Sequence, residues 1–102
     1  MPIIKGRKVV EFDWDEANIA HIAKHNVLPE EAEEVFFDEN NVQDEDVAHS
    51  TAEKRLLIIG QTGKGRLLYQ IFTIRGKKIR VISSRDINKK EVRLYEKKIS
   101  RS

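Results

Sequence analysis

The residues best suited to chemistry lie in the second half of the sequence, on two runs that predict a β-hairpin. Leu67–Arg75 and Lys78–Arg85 are rich in β-branched and aromatic residues, and Gly76-Lys77 suits a two-residue turn between them. Because side chains alternate faces along a strand, this turn places several polar and aromatic residues on one face. They are Tyr69, Thr73, Arg75, Lys78, Arg80 and Ser84. Guanidinium groups beside an aromatic ring and hydroxyls suit the phosphates and an unstacked base of single-stranded nucleic acid.

The register of this hairpin decides which side chains meet. It pairs Arg75 with Lys78, Thr73 with Arg80, Ile71 with Ile82, and Tyr69 with Ser84. The opposite face is apolar and should be covered by helices. It carries Leu68, Phe72, Ile74, Ile79 and Val81. Arg85 falls on this apolar face at the strand end, where it could pair with a helix carboxylate or reach a site at the sheet edge. The basic face could also be an ordinary solvated sheet surface, but the convergence of arginines and a tyrosine on one short hairpin favours binding.

Charge is divided unevenly along the chain. Residues 11–53 contain 14 acidic residues and one basic residue, Lys24, whereas residues 54–102 contain 15 basic and three acidic residues. A half with a net charge of +12 has the potential expected of a phosphate-binding surface. The two halves could equally neutralise each other across the fold, and charge alone leaves both alternatives open.

Composition excludes several classes of protein. A chain of 102 residues can bury one modest core, so we expect a single domain over residues 1–102. The absence of cysteine excludes disulfides, thiolate nucleophiles and cysteine-ligated zinc. No stretch approaches the roughly 20 apolar residues of a membrane span. The first residues lack the apolar run of a secretory signal, and we therefore expect a cytoplasmic protein.

The elements that hold the hairpin are predicted from hydrophobic periodicity and from start and stop signals. They are a strand at 8–12, helices at 13–25 and 29–38, an edge strand near 42, strands at 55–59, 67–75 and 78–85, and a helix from about 88. Asp13 with Glu16, and Asn88 with Glu91, have the form of capping boxes, and Asn26 suits a left-handed helix stop. The order β-α-α-β-β-β-α indicates an α+β domain, with a small antiparallel sheet and helices packed on one face.

The sequence resembles the BrnT family of bacterial toxins. Short segments match the family pattern in order from about Phe12 to Tyr95, which is most of the chain. They are Phe12–Asp15, Lys24–Val27, Glu30–Phe36, Glu53–Gly60, Gly65–Leu68, Thr73–Arg75, Arg80–Arg85 and Glu91–Tyr95. Each segment alone is weak evidence for the family, but the occurrence of all of them in this order makes the resemblance specific.

The resemblance implies a RelE/ParE-like fold and a ribonuclease toxin of a type II toxin–antitoxin pair. It further implies metal-independent and ribosome-independent RNA cleavage, no cofactor, and neutralisation by a ribbon-helix-helix antitoxin similar to BrnA. Operator DNA would be bound only through that antitoxin. The chain departs from the common pattern at several positions, namely Asn18, His21, Ala23, Asn26, Leu28 and Ser84. The missing basic residues on the first helix leave an alternative, a catalytically weakened RelE-like module that binds RNA or protein.

RNA cleavage without a metal needs a base for the 2′-hydroxyl, a stabiliser for the phosphate charge and an acid for the 5′-oxygen. For the phosphate, the family pattern and the chemistry of guanidinium groups point to Arg55, Arg75 and Arg80. Further RNA contacts are assigned to Lys24, Arg66, Tyr69, Thr73, Lys78, Ser84 and Arg85.

The acid and base candidates are His25, Glu91 and Tyr95. Each also has a structural interpretation, as a histidine at a helix end, a capping residue and a core contact respectively. His21 and His25 are four residues apart and could chelate a metal, but no acidic ligand converges with them and no metal site is predicted.

Overall fold

The structure, a computed structural model, describes residues 11–46 and 53–97 in full, and the backbone alone of 3–4, 7–8 and 98–100. Its strands are β1 (Ile3–Ile4), β2 (Arg7–Lys8), β3 (Glu11–Phe12), β4 (Val42–Glu45), β5 (Leu56–Gln61), β6 (Leu67–Arg75) and β7 (Lys78–Asp86). Its helices are α1 (Glu16–Ala23), α2 (Pro29–Phe37) and α3 (Lys89–Ser100). These elements confirm the α+β class. The strand predicted at 8–12 lies partly outside the described residues, and its described parts belong to β2 and β3. No helix in the described part of the chain is long and apolar enough to cross a membrane.

The main sheet has five strands in the order β3-β7-β6-β5-β4. The strands from β4 to β7 pair antiparallel with their neighbours, as predicted, but β3 pairs parallel with β7. The sheet is therefore mixed, and the prediction of an antiparallel sheet is wrong at this pair. β3 is separated from β7 by two helices and three strands, so no hairpin turn fixes its direction.

The β6–β7 hairpin follows the predicted register only in its first half. Arg75 lies opposite Lys78 and Thr73 opposite Arg80, but the register then shifts between Phe72 and Ile71. Beyond the shift Ile71 lies opposite Ser83, Gln70 opposite Ser84, and Tyr69 opposite Arg85. The predicted pairs Ile71–Ile82 and Tyr69–Ser84 are wrong, because Ile82 is an extra residue in a β-bulge. Past this point every side chain of β7 faces the opposite way from the prediction.

One face of the sheet carries the main core, which α1 and α2 cover. The core contains Ile22, Val27, Ala32, Val35, Phe36, Leu56, Ile58, Leu68, Phe72, Ile79 and Val81. Phe36 stacks edge-on against Phe72 with ring centroids 5.0 Å apart. Gly60 of β5 faces α2 closely: a Cβ there would lie 2.9 Å from both Val35 Cγ1 and Val35 O. The sequence had placed Gly60 in a loop, whereas β5 continues to Gln61.

The start of α1 differs from the prediction. The capping pair is Asp15 and Asn18, not Asp13 and Glu16: the Asn18 amide N–H donates to Asp15 Oδ1 at 3.1 Å, and the Asp15 N–H donates to Asn18 Oδ1 at 2.8 Å. The Asn18 side chain also donates to the Val81 carbonyl at 3.2 Å. This bond holds α1 along the part of β7 that β3 does not pair with. Asn26 adopts the predicted left-handed conformation, with a φ of 57°.

The third helix lies on the other face of the sheet. Ile58 and Gly60 face α2, so Ile59 between them points to the other face of the sheet. Ile59 is nevertheless fully buried, so another element must cover it there. α3 contacts β4 and β5, and Glu91 in its first turn pairs with Arg85, which stands over Tyr69 on that same face. The prediction that all helices pack on one face is therefore wrong. α3 covers only one end of this second face.

Candidate functional site

The end of the second face that no described element covers forms a continuous surface, which we call the open face. Its residues come from β5 and the residue just before it, from β6, and from β7 as far as Ser83. They are Arg55, Leu57, Ile71, Thr73, Arg75, Lys78, Arg80 and Ser83. The strand pairing therefore brings together the three arginines that the sequence assigned to phosphate binding.

Arg75 and Lys78 lie at the hairpin end of the open face, and both are paired with carboxylates. Arg75 donates from Nε and Nη2 to the two carboxylate oxygens of Glu53, at 2.8 and 3.2 Å. Lys78 Nζ lies 3.4 Å from Glu11 Oε2. The hydrogen bond from Arg75 lowers the pKa of Glu53, against a small opposing effect of burial. Because both pairs are largely exposed, solvent screens them and they contribute little to stability, so a phosphate could replace either carboxylate.

Arg80 is held more firmly. Its side chain is only 15% exposed, and Nη1 lies 2.9 Å from Asp15 Oδ2 and 3.7 Å from Asp13 Oδ1. The hydrogen bond from Arg80 is the main reason that the pKa of Asp15 is lowered. Asp15 is also the N-cap of α1, so one carboxylate fixes both the helix start and the guanidinium. Arg80 is thereby held in one orientation before any ligand arrives.

Two adjoining cavities lie between the open face and α1. One, of about 270 Å³, is lined by His21, Asp46, Arg55, Ile71, Ile82 and Ser83. The other, of about 180 Å³, is lined by Ala17, Asn18, His21, Arg80 and Ile82. His21 and Ile82 line both, so the β-bulge and the exposed side of α1 together connect Arg55 to Arg80. A guanidinium on each side of a histidine is an arrangement that can bind a phosphate and move a proton.

Arg85 and Tyr69 form a second cluster, next to α3. The Arg85 guanidinium carbon lies 4.3 Å from the centroid of the Tyr69 ring, a cation–π contact. Arg85 also donates to both oxygens of Glu91, at 2.9 and 2.8 Å. The expectation that Arg85 would pair with a helix carboxylate is confirmed, but its placement on the apolar face is wrong. Burial raises the pKa of Tyr69, so its hydroxyl stays protonated.

The contacts of Glu91 fit a structural role at the start of α3. Burial opposes its ionisation, but hydrogen bonds from Arg85 and from the Asn88 N–H outweigh burial and lower its pKa. The predicted capping box is confirmed: Asn88 N donates to Glu91 Oε1 at 3.0 Å, and Glu91 N donates to Asn88 Oδ1 at 2.9 Å. An ionised carboxylate that already accepts from an arginine and a backbone amide is a weak base for catalysis.

Three other predicted site residues are buried. Ser84 is fully buried on the core face and donates to Gln70 Oε1 at 2.8 Å, so its predicted placement on the basic face is wrong. Thr73 is 1% exposed and donates to the Lys54 carbonyl at 2.9 Å. Tyr95 is 4% exposed, and its hydroxyl donates to Asp38 Oδ2 at 2.6 Å. Burial and this bond to a carboxylate raise the pKa of Tyr95.

Arg66 lies away from the open face, in a cluster that ties the α1–α2 turn to the sheet. It donates to Asp86 at 2.8 and 3.2 Å, and to the backbone carbonyls of Asn26 and His25 at 2.7 and 2.9 Å. The hydrogen bond from Arg66 lowers the pKa of Asp86. Lys24 and His25 lie on the same turn with exposed side chains, and His25 lines neither of the two cavities described above.

Comparison with known proteins adds an independent observation. Residues 14–91 match the family model described as the ribonuclease toxin BrnT of type II toxin–antitoxin systems. The chain belongs to the BrnT family. This finding confirms the resemblance and identifies a ribonuclease toxin family whose members have RNA as substrate and an antitoxin as partner. No curated protein matches the sequence.

The BrnT match contains both cavities but ends before Tyr95. The site residue that sequence reasoning missed is His21, which it considered as half of a metal-binding pair and as a departure from the family pattern. The available signal was its spacing: His21 lies three residues after Asn18, so both lie on one side of the helix. Within the described residues, no three histidines, aspartates or glutamates gather in a way that would hold a metal ion.

Proposed function

We propose that this BrnT-family chain is an endoribonuclease toxin that cleaves RNA on the open face, without a metal ion and without the ribosome. The observation that carries the proposal is the meeting of His21, Arg55 and Arg80 around two adjoining cavities on an uncovered basic surface. Arginine and histidine side chains can supply both phosphate stabilisation and proton transfer. The RelE-like fold, the cytoplasmic location and the ribbon-helix-helix type of antitoxin, with operator DNA bound only through it, belong to the same proposal.

The proposed reaction uses the 2′-hydroxyl of the substrate. A base removes its proton, the 2′-oxygen attacks phosphorus, and the bond from phosphorus to the 5′-oxygen breaks as an acid protonates that oxygen. The products are a 2′,3′-cyclic phosphate and a 5′-hydroxyl. Arg80 and Arg55 are proposed to bind the non-bridging oxygens, because negative charge grows there in the transition state.

Arg75 is proposed to bind an adjacent phosphate at the hairpin end. Its exposed partner Glu53 would be released, and because that ion pair is weak the exchange requires little free energy. Lys78 would act in the same way after release from Glu11. Tyr69 and Arg85 offer a ring and a guanidinium plane at the far end of the face, where a base could stack on the guanidinium.

For proton transfer we propose His21, which lines both cavities, ahead of His25, which the sequence favoured. A histidine side chain ordinarily titrates near neutral pH and can serve as either acid or base. Glu91 and Tyr95 are engaged in the contacts described above, and we propose structural roles for them. Lys24, near His25 on the α1–α2 turn, could still contact RNA outside the cleft.

The two histidines of α1 provide a matched test. Purified protein is incubated with total RNA, with and without EDTA, and the new ends are analysed for 2′,3′-cyclic phosphate. We expect cleavage to survive EDTA, to fall by roughly 10²–10⁴-fold in His21→Gln, and to change little in His25→Gln. Arg75→Ala/Arg80→Ala should abolish it.

Two results would contradict the proposal. If the wild-type protein binds RNA without cleaving it, the alternative of a catalytically weakened binding module is correct. If His25→Gln abolishes cleavage and His21→Gln does not, the assignment made from the sequence is correct and the cavities are not the reactive centre. Growth arrest on induction in a bacterial host, relieved by the neighbouring gene product, tests the toxin and its antitoxin together.

A further inference from the structure

The outward side of α2 carries an apolar groove with large exposed side chains at both ends. Leu28, at the N-cap, is 61% exposed, and Phe37, at the last helical position, is 57% exposed. Nine residues of helix separate them by roughly 14 Å along the axis. Between them lie cavities of about 430 and 370 Å³, bounded by α2 and the β5–β6 turn, which share Glu34 and Thr62. We call this surface the α2 groove.

Helical geometry places the α2 groove on the far side of the molecule from the open face. Glu30, Glu34 and Phe37 follow one another at helical spacing on the outward side. Ala32, Val35 and Phe36 lie on the inward side and belong to the main core. The helix and the sheet therefore separate the groove from the arginines of the open face.

Two carboxylates of the groove, Glu30 and Glu34, form no salt bridge in the described part of the chain, whereas Glu31 pairs with Arg66 at 3.4 Å. Glu34 accepts a hydrogen bond from the Gly63 N–H at 3.1 Å, and Asp38 accepts from the Gln61 N–H and Tyr95. Glu30 is exposed and has no partner in the described part of the chain. Lys64 also lines the groove, beside the four carboxylates Glu30, Glu31, Glu34 and Asp38. With four carboxylates and one lysine, the described lining of the α2 groove carries a net negative charge.

A groove with apolar ends and a net negative charge repels phosphates and attracts a basic, amphipathic polypeptide. We propose that the α2 groove is the docking site of the antitoxin, and that it takes a segment with apolar side chains about 14 Å apart and lysine or arginine between them. This inference rests on the proposed function for the existence of the partner. It places the anchoring contact away from the RNA-cleaving face.

The test measures binding of the protein encoded by the reading frame next to this gene, by titration calorimetry, to four forms of the full chain. Wild type is compared with Phe37→Ser and Glu30→Lys in the groove, and with Leu94→Ser as the control. Leu94 is a similarly exposed apolar residue, at 52%, on α3. Since these side chains are exposed, thermal unfolding of all four should be similar.

We expect Phe37→Ser to weaken binding by roughly 30-fold, as for an anchor residue at an interface centre. Glu30→Lys should weaken it strongly at low salt and less at high salt, because screening removes the electrostatic part. Leu94→Ser should bind like wild type. Full binding by both groove variants would overturn the proposal, as would failure of the neighbour to bind wild type. Arg75→Ala/Arg80→Ala is titrated as a fifth form, and a loss of binding confined to it would also overturn the proposal.

The same preparations are assayed for RNA cleavage in the absence of the neighbour. If wild type does not cleave RNA, the proposed nuclease function fails, but the binding comparison still decides whether the α2 groove is the docking site. If it cleaves RNA and the groove variants bind normally, only the docking proposal fails.

Discussion

Replacement of Ser84 by alanine separates the structural role of this residue from the RNA contact that the sequence predicted for it. Ser84 is fully buried and donates to Gln70 Oε1 at 2.8 Å, and Gln70, also fully buried, donates to the Ala32 carbonyl at 3.1 Å. This chain of hydrogen bonds links β7 through β6 to α2. Without the serine hydroxyl, the Gln70 oxygen would be buried without a donor.

The expected loss follows from that unsatisfied oxygen. Removing one partner of a buried hydrogen bond typically costs about 1–3 kcal/mol, and in a domain of this size each kcal/mol lowers the melting temperature by roughly 4–8 °C. Replacing both partners, in Gln70→Leu/Ser84→Ala, leaves neither group unsatisfied. The double variant should therefore lose less stability than the sum of the two single variants.

The measurement is urea or thermal unfolding of wild type, both single variants and the double variant, with RNA cleavage measured well below every transition. Ser83→Ala is the matched control, because Ser83 is the neighbouring serine on the open face and should change stability by about 0.5 kcal/mol or less. Cleavage by Ser84→Ala should match wild type. Unchanged stability with a large loss of RNA cleavage would refute the assignment of Ser84 to the core, and additive single variants would refute its coupling to Gln70.

Three further predictions concern packing and pH. Gly60→Ala should destabilise the fold by about 1–3 kcal/mol in urea unfolding, because its Cβ would lie 2.9 Å from Val35 atoms; Gly63→Ala, with its nearest contact at 3.5 Å, should be tolerated. Because the folded protein lowers the pKa of Glu91, that residue adds stability above its unfolded pKa of about 4.3, which is lost as pH falls further. The stability of Glu91→Gln should therefore fall less steeply than that of wild type between about pH 5 and 3, and parallel acid curves would contradict this. Because the folded protein raises the pKa of Tyr95, its contribution is complete below about pH 10 and lost above it, so Tyr95→Phe should show a flatter alkaline limb in the same assay.

Local signals in the sequence predicted most of the elements. Pro29 marks the first residue of α2, Asn26 takes the left-handed conformation, and Asn88 with Glu91 forms the capping box before α3. Each of these depends on the chemistry of one or two neighbouring residues, which the sequence shows directly. The direction of β3 is different in kind. It has only two residues, and its partner β7 lies far along the chain, so no local signal in the sequence fixes the direction of the pairing.

The candidate site was only partly predictable because a β-bulge decides it. Arg75 and Arg80 lie on the hairpin-turn side of the bulge and share a face as expected. Ser84 and Arg85 lie beyond it, so Ser84 faces the core and Arg85 faces the opposite side, the reverse of the prediction. The register shift cannot be recognised from the neighbouring serines, because either Ser83 or Ser84 can face the core without changing the polarity pattern of the strand. One signal was present: a regular register places the charge of Arg85 on the apolar face, where burial is costly, and the bulge removes that conflict.

The sequence left two interpretations of its uneven charge distribution, namely mutual neutralisation of the two halves and a phosphate-binding surface, and the structure contains features of both. Carboxylates of the first half pair with basic residues of the second: Glu11–Lys78, Asp13–Arg80, Asp15–Arg80, Glu31–Arg66, Glu45–Lys54 and Glu53–Arg75. Three of these pairs, Glu11–Lys78, Glu45–Lys54 and Glu53–Arg75, are exposed and contribute little to folding, so their main effect is on the surface potential. Around Arg75 and Arg80 the ion pairs order two guanidiniums and partly neutralise them, and in the proposed function an RNA phosphate would replace Glu53 beside Arg75. Along α2, Glu31 pairs with Arg66, whereas Glu30 and Glu34 form no salt bridge among the described residues, and this acidic surface is the one proposed for a basic partner. A single asymmetry in the sequence can thus supply both a site for an anion and a separate site for a cationic polypeptide.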